Sequence, residues 1–185
     1  ASVSELEHHS DSGPCQQIAK RPDADFRMIP IDDQGELRMD ALDEVAGDGN
    51  VKVVAANLVS NSLGTVNPVE KLAAWAHDRG GIMVVDAAQA APHKRIDVQT
   101  LGADFVAFSS HKMCGPTGVG VLWGRRELFE SMSPFNYGGS MIRSVKVEET
   151  LWNELPYKFE AGTPPIAGAD GLGGPLDSLG CGGSE

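Results

Sequence analysis

The sequence lacks several features that would decide a functional class at once. No apolar run approaches the roughly 20 residues that a membrane-spanning helix needs, so none is predicted. The three cysteines are far apart and form no Cys-x-x-Cys pair, which argues against a structural zinc site. Basic residues are outnumbered, with 15 Lys and Arg against 26 Asp and Glu, so the formal net charge is −11. This charge argues against a surface that binds nucleic acid or an anionic membrane.

The N-terminal stretch also lacks the marks of a targeting segment. Residues 1–7 contain neither the basic and apolar regions of a signal peptide nor an Arg-rich transit sequence. Together with the odd number of cysteines, this predicts a cytoplasmic protein. Because no initiator Met is present, we expect the chain to begin inside a longer protein. The 185 residues, 41% of them hydrophobic, are typical of a globular domain.

Apolar strands alternate with helices through the centre of the chain. Residues 51–56, 82–86 and 104–109 are near-continuous apolar runs, as is typical of parallel strands that are covered on both faces. Between the first two runs, Asn67 followed by Pro68 predicts a helix start with Asn67 as the cap. This strand–helix–strand order predicts an α/β fold with a mainly parallel sheet flanked by helices.

Two of these strands end in residues that suit one ligand site. Asp86 ends one strand, and Lys112 lies three residues past the other. Because the carboxyl ends of parallel strands meet at one edge, where open α/β sheets bind ligands, we expect the acid and the amine in one crevice. Desolvation there would lower the pKa of the lysine and make it a nucleophile. Locally, a surface lysine on a turn and an aspartate that caps the next turn fit as well.

The turn around Lys112 resembles a known signature. Ser109-Ser-His-Lys112, followed by a Gly-Pro-Thr-Gly-Val-Gly bend, is similar to the pyridoxal-phosphate lysine motif of the class V aminotransferase family, and within it to the group II cysteine desulfurases. The resemblance implies a large domain of pyridoxal-phosphate fold-type I, incomplete here. Further motifs stand in the family's order: Glu7-His-His, Ser60-Asn61, Asp86-x-x-Gln89 and Glu160-Ala-Gly-Thr-Pro164.

The resemblance also implies a role for each residue of these motifs. Lys112 forms the internal Schiff base with pyridoxal 5′-phosphate, while His8 stacks on its ring and serves as an acid or base. Asp86 keeps the pyridine nitrogen protonated, so that the ring accepts electrons. No metal is implied. The other implied contacts are Asn61 and Gln89 at the phenolic oxygen, Ser109 and His111 at the phosphate, and Gly162 and Thr163 at the phosphate of the partner subunit in a homodimer.

Each motif taken alone also fits a plainer interpretation. His8 and His9 fit an exposed pair or half of a metal site, Asn61 fits a turn, and Gly162 with Thr163 fits a β-turn. Cys114 lies two residues past Lys112. We interpret it as a packing residue, because the resemblance places the sulfur-accepting cysteine of the desulfurases on a loop further downstream.

The activity that the resemblance implies is conversion of L-cysteine to alanine, with the sulfur kept on the enzyme for iron–sulfur cluster assembly and passed to an acceptor protein. Another class V enzyme (an aminotransferase, a selenocysteine lyase or a kynureninase-like hydrolase) would share Asp86 and Lys112. A third interpretation of the sequence is a catalytically inactive scaffold fragment.

Family members carry three parts that this chain lacks: an upstream Gly-Thr phosphate loop, the downstream cysteine loop, and an arginine for the substrate carboxylate. We therefore expect a partial cofactor-binding domain over residues 1–168 and an inactive isolated chain. Residues 169–185 are interpreted as a degenerate Gly-rich tail, because glycine and proline at positions 173–175 disfavour a helix.

Overall fold

Eight strands form two sheets in the computed structural model, which describes residues 1–21, 24–47 and 49–181. The strands are β1 (Ser2–Ser4), β2 (Arg27–Ile29), β3 (Val53–Asn57), β4 (Ile82–Asp86), β5 (Phe105–Ser109), β6 (Gly120–Gly124), β7 (Ile142–Val145) and β8 (Thr150–Trp152). The main sheet has the order β2-β1-β3-β4-β5-β6, and β7 pairs with β8 separately. All pairings of the main sheet are parallel except that of β5 with β6. The predicted α/β fold with a mainly parallel sheet is confirmed.

Helices connect the strands and flank the main sheet. In the described part of the chain they are α1 (His9–Ile18), α2 (Leu42–Ala46), α3 (Val69–Asp78), α4 (Val98–Leu101), α5 (Arg126–Ser131) and α6 (Ile166–Cys181). Short 3-10 turns occur at Met39–Ala41, Ser110–Met113 and Tyr157–Phe159. None of the helices described is both long and apolar enough to cross a membrane.

The core lies between the central strands and the helices that cover them. Val54 and Val85 are fully buried on β3 and β4, and Leu72 on α3 is fully buried against the same cluster. Burying a leucine of this kind stabilises the fold by about 2 kcal/mol. This packing holds the strands that carry Asp86 and the lysine turn in fixed register.

A buried carboxylate, Asp104, fixes the start of β5. Its Oδ2 accepts a hydrogen bond from the Met83 backbone N at 2.7 Å and lies 2.8 Å from His77 Nε2. Its Oδ1 lies 3.0 Å from Arg125 Nε. Asp104 is therefore anchored by groups on α3, on β4 and just before α5. Because β5 leads directly into the lysine turn, these contacts also position that turn.

The predicted cap of α3 was wrong. The helix begins at Val69, Pro68 precedes it, and no side chain caps its first turn. Asn67 is buried, and its Nδ2 instead donates to the backbone O of Asn57 at 2.9 Å and to Asn57 Oδ1 at 2.6 Å. A buried amide needs hydrogen-bond partners, so the Nδ2 of Asn67 is used in the interior and does not leave Asn67 as the cap of the helix.

The predicted interruption of helical structure at residues 173–175 was also wrong, because α6 continues to Cys181 with Pro175 in its interior. Glycines on the inner side of α6 permit a close approach to the loop after Lys112. A Cβ at Gly168 would lie 2.6 Å from Val119 Cγ2, and one at Gly171 would lie 2.7 Å from Pro116 Cγ. Packing therefore outweighs the weak helix propensity of glycine. Residues 182–185 of the interpreted tail lie outside the described residues.

Candidate active site

The carboxyl edge of the main sheet brings the central predicted residues together. Asp86 is the last residue of β4, where it pairs with Asn57 on β3 and with Ala107 on β5. Its Oδ1 accepts a hydrogen bond from the Ala88 backbone N at 2.7 Å, so it does form the predicted turn contact. That contact also fixes the orientation of the carboxyl group. Asp86 can therefore cap the turn and remain at the carboxyl edge of the sheet.

Lys112 lies in the 3-10 turn that continues directly from β5 at this edge. Two backbone hydrogen bonds close the turn: Ser110 N donates to Val119 O, and Gly115 N donates to Ser110 O, both at 3.0 Å. Lys112 is half-buried and His111 is exposed, whereas Ser110 is fully buried with no partner for its hydroxyl among the described residues. A side chain at position 115 would collide with that hydroxyl, so glycine is required there.

Cys114 is an exception to what the sequence predicted for this turn. It is exposed and adopts a left-handed conformation with φ 60°, so the interpretation as a packing residue was wrong. Left-handed backbone disfavours most residues other than glycine. The conformation lets the chain reverse between Met113, which is buried, and the bend at Gly115.

His8 reaches the same edge through the segment that follows β1. Glu7 Oε1 accepts a hydrogen bond from the Asn57 backbone N at 2.7 Å, and Asn57 Nδ2 donates to Leu6 O at 2.5 Å. These bonds attach the Leu6–His8 segment to the end of β3, next to Asp86. His8 Nδ1 accepts from Ser10 N at 3.2 Å, and the residue stays exposed. The imidazole is thus oriented through Nδ1, and the residue is exposed.

Two further carboxyl groups, those of Glu7 and Asp11, lie near Asp86. Burial, reinforced by the charges of Asp11 and Asp86, raises the pKa of Glu7 to about 7, although hydrogen bonds from Ser4 and Asn57 oppose the rise. Burial and the charge of Asp86 also raise the pKa of Asp11. Sequence analysis missed the roles of Glu7 and Asp11, because only their four-residue spacing was visible. Their common neighbour, Asp86, is distant in the sequence.

For the remaining predicted residues, the structure gives their exposure and local contacts but no contact with Asp86 or Lys112 among those described. Gln89 is half-buried three residues beyond Asp86. Asn61 is exposed in a turn that is held by Ser60 Oγ. Gly162 N donates to Gly139 O at 2.9 Å, and Thr163 is exposed. None of these described contacts joins Gly162 or Thr163 to the lysine turn of the same chain, so their part in the site remains a prediction.

Residues 1–184 match the sequence profile of the family described as "Aminotransferase class-V". The chain belongs to the class V aminotransferase family. It is 50% identical over 177 residues to a cysteine desulfurase of Haloferax volcanii, covering 96% of this chain and 41% of that protein. It is 51% identical over 177 residues to a probable cysteine desulfurase of Streptomyces coelicolor, covering 96% of this chain and 42% of that protein.

Solved structures agree with this relationship. The cysteine desulfurase CsdA of Escherichia coli superimposes with a TM-score of 0.92 at 38% identity, covering 97% of this chain and 45% of that one. A cysteine desulfurase of Thermococcus onnurineus, solved in its apo form, gives a TM-score of 0.88 at 40% identity, covering 96% and 44%. The chain therefore has the fold of these enzymes and spans less than half of their length.

Proposed function

We propose that this chain is the central part of a pyridoxal-phosphate-dependent cysteine desulfurase. The observation that carries the proposal is the placement of Asp86 and Lys112: the acid ends β4, and the lysine turn continues from β5, at one edge of a parallel sheet. Similarity to two proteins described as cysteine desulfurases, or probably so, supports the choice within the class V family.

The residues at this edge fit pyridoxal 5′-phosphate. The cofactor needs a carboxylate at its ring nitrogen, an amine at its aldehyde and several hydrogen-bond donors at its phosphate. Asp86 and Lys112 supply the first two. The buried hydroxyl of Ser110, which has no described partner, shows that the lysine turn still has unused hydrogen-bonding capacity. When bound, the cofactor supplies an electron sink for the bond that breaks in the substrate.

The chain's own side chains would then divide the work at this edge. Lys112 would hold the cofactor through its amine, or move a proton when that amine is free, while Asp86 would keep the ring nitrogen protonated. His8 would cover the ring face and exchange protons through its free nitrogen. The remaining proposed contacts are Asn61 and Gln89 at the phenolic oxygen, Ser109 and His111 at the phosphate, and Gly162 and Thr163 at the phosphate of a second copy.

The proposed substrate is L-cysteine, which leaves as alanine. Its sulfur would pass to a thiol outside this chain and then to an acceptor protein for iron–sulfur cluster assembly. The partners are accordingly a second copy of the chain and a sulfur acceptor, in the cytoplasm. We propose that the sulfur-accepting cysteine lies outside this chain and that the isolated chain therefore does not complete the reaction.

The first test is binding of the cofactor. Pyridoxal 5′-phosphate is added to the wild-type chain, to Lys112→Ala and to Lys71→Ala, and the visible absorption of a lysine-bound pyridoxal group is followed. Lys71 is an exposed residue of α3, so its variant removes the same side chain away from the site. We expect the band in the wild type and in Lys71→Ala, and its loss in Lys112→Ala. An equal band in all three chains would refute the assignment of Lys112.

The second test addresses the substrate. The loaded chain is titrated with L-cysteine, L-selenocysteine and L-kynurenine, and both the visible band and released alanine are measured. We expect L-cysteine to change the band without sustained release of alanine. A response confined to L-kynurenine would contradict the desulfurase proposal in favour of a kynureninase-like enzyme. No band and no response would indicate an inactive scaffold.

A further inference from the structure

Two buried carboxyl oxygens near Asp86 have no donor among the described residues. They are Glu7 Oε2 and Asp11 Oδ2. The other oxygen of Glu7 is fully used: Oε1 accepts from the Asn57 backbone N at 2.7 Å and from Ser4 Oγ at 2.5 Å. A buried ionised oxygen without a donor is costly, so a proton held between neighbouring carboxyl groups would stabilise this arrangement.

The three acids are close enough to share protons. Asp11, in the first turn of α1, lies within hydrogen-bonding reach of both Glu7 and Asp86. Asp86 stands at the end of β4, beside the strand residue whose backbone holds Glu7. Among the described residues, these side chains do not form a metal-binding group. Because Asp11 reaches both of the other acids, the contacts run in series, from Glu7 through Asp11 to Asp86.

We infer that Glu7 and Asp11 form a proton-sharing relay that controls how much negative charge stands beside Asp86, so that Glu7 is a positioning residue of the site. In the protonated relay, Glu7 donates to Asp11 and Asp11 donates to Asp86, which leaves a single negative charge on Asp86. Deprotonation of Glu7 releases one proton to solvent and adds a second negative charge to the cluster. This inference rests on the proposed function, in which Asp86 faces the ring nitrogen of the cofactor.

The charges around the relay support a titration near neutral pH. Burial, together with the charges of Asp11 and Asp86, raises the pKa of Glu7 to about 7. Burial and the charge of Asp86 raise the pKa of Asp11, while His8 at the start of α1 opposes that rise. Glu7 would therefore add a negative charge to the surroundings of Asp86 above this pH and add none below it. A second negative charge strengthens the hold of Asp86 on a proton-bearing ring nitrogen.

The test is a carbon-13 NMR titration of the side-chain carboxyl groups in the cofactor-free chain. We compare the wild type with Asp11→Asn, which keeps the bridging shape but cannot share an acidic proton, and with Asp78→Asn, which removes an exposed charge at the end of α3. In the wild type we expect the carboxyl signal of Glu7 to titrate near pH 7. In Asp11→Asn the Glu7 midpoint moves toward the ordinary 4.5, and in Asp78→Asn it does not move.

A Glu7 midpoint near 4.5 in the wild type, or equal shifts in the two variants, would overturn the relay. A second measurement follows the ring nitrogen of nitrogen-15-labelled cofactor bound to the wild type and to Glu7→Gln. Its chemical shift should change around pH 7 in the wild type only. A pH-independent shift in both proteins would overturn control of the site by Glu7. Failure of the cofactor to bind, with the carboxyl titration as expected, would count against the proposed function and for the relay itself.

Discussion

Replacement of Glu7 by glutamine should make the chain more stable above neutral pH. The folded pKa of Glu7 is about 7 against an ordinary value of 4.5, so the native state binds its proton more tightly than the unfolded state between these values. The unfolding free energy therefore falls as pH rises from 4.5 to 7. At 1.36 kcal/mol per pKa unit, the loss amounts to about 3 kcal/mol. Glutamine does not titrate in this range, so the Glu7→Gln variant does not lose this unfolding free energy.

The geometry adds to this expectation. The amide oxygen of glutamine can still accept from the Asn57 backbone N and from Ser4 Oγ, as Glu7 Oε1 does. Its amide nitrogen can donate to Asp11 Oδ2, which has no donor among the described residues. The substitution thus keeps the existing contacts and satisfies a buried acceptor.

The assay is urea unfolding at a series of pH values from 4.5 to 8, with Glu36→Gln as the control because Glu36 is exposed. We expect the advantage of Glu7→Gln over the wild type to grow from near zero at pH 4.5 to about 3 kcal/mol at pH 8. The control difference should stay flat. A stability difference for Glu7→Gln that does not change with pH would refute the account of a buried, proton-holding Glu7.

Two further predictions concern the packing that positions the lysine turn. Asp104→Ala leaves the Met83 backbone N without its partner, and it should destabilise the chain by about 3 kcal/mol in urea unfolding; a loss below about 1 kcal/mol would show that Asp104 is not an anchor. Gly168→Ala places a Cβ against Val119 and should cost about 1–3 kcal/mol. Gly173→Ala meets nothing within 4 Å and should gain up to about 1 kcal/mol; equal effects of the two glycine variants would contradict the close packing of α6.

The central strands could be predicted from the sequence because buried strands of a parallel sheet consist of continuous apolar runs. Residues 82–86 form β4 as expected, and the run that ends at Ser109 forms β5. Short elements could not be predicted in this way. The three residues of β1, Ser2–Ser4, contain two serines and owe their burial to neighbours on both sides, β2 and β3. Pairing with these neighbouring strands, rather than the local sequence, determines that residues 2–4 form a strand.

The position of a candidate site residue could be predicted where that residue ends a strand or closely follows one. It could not be predicted where residues distant in the sequence come into contact in the fold. Asp86 and Lys112 follow apolar runs, so the sheet edge could be inferred. The interactions of Glu7 and Asp11 with Asp86 became visible only in the folded chain. Similarly, the buried partner that diverts Asn67 from capping α3 is ten residues away, on another element. Long-range polar contacts leave no periodic pattern in the sequence.

The central claim is that Lys112 is the residue to which pyridoxal 5′-phosphate becomes attached. The most direct measurement is borohydride reduction of the chain with the cofactor, followed by proteolysis and mass spectrometry of the peptides. The account predicts one principal pyridoxyl-modified peptide, which contains Lys112, and its disappearance in Lys112→Ala but not in Lys71→Ala. Modification distributed over the exposed lysines, with Lys112 unmodified, would contradict it.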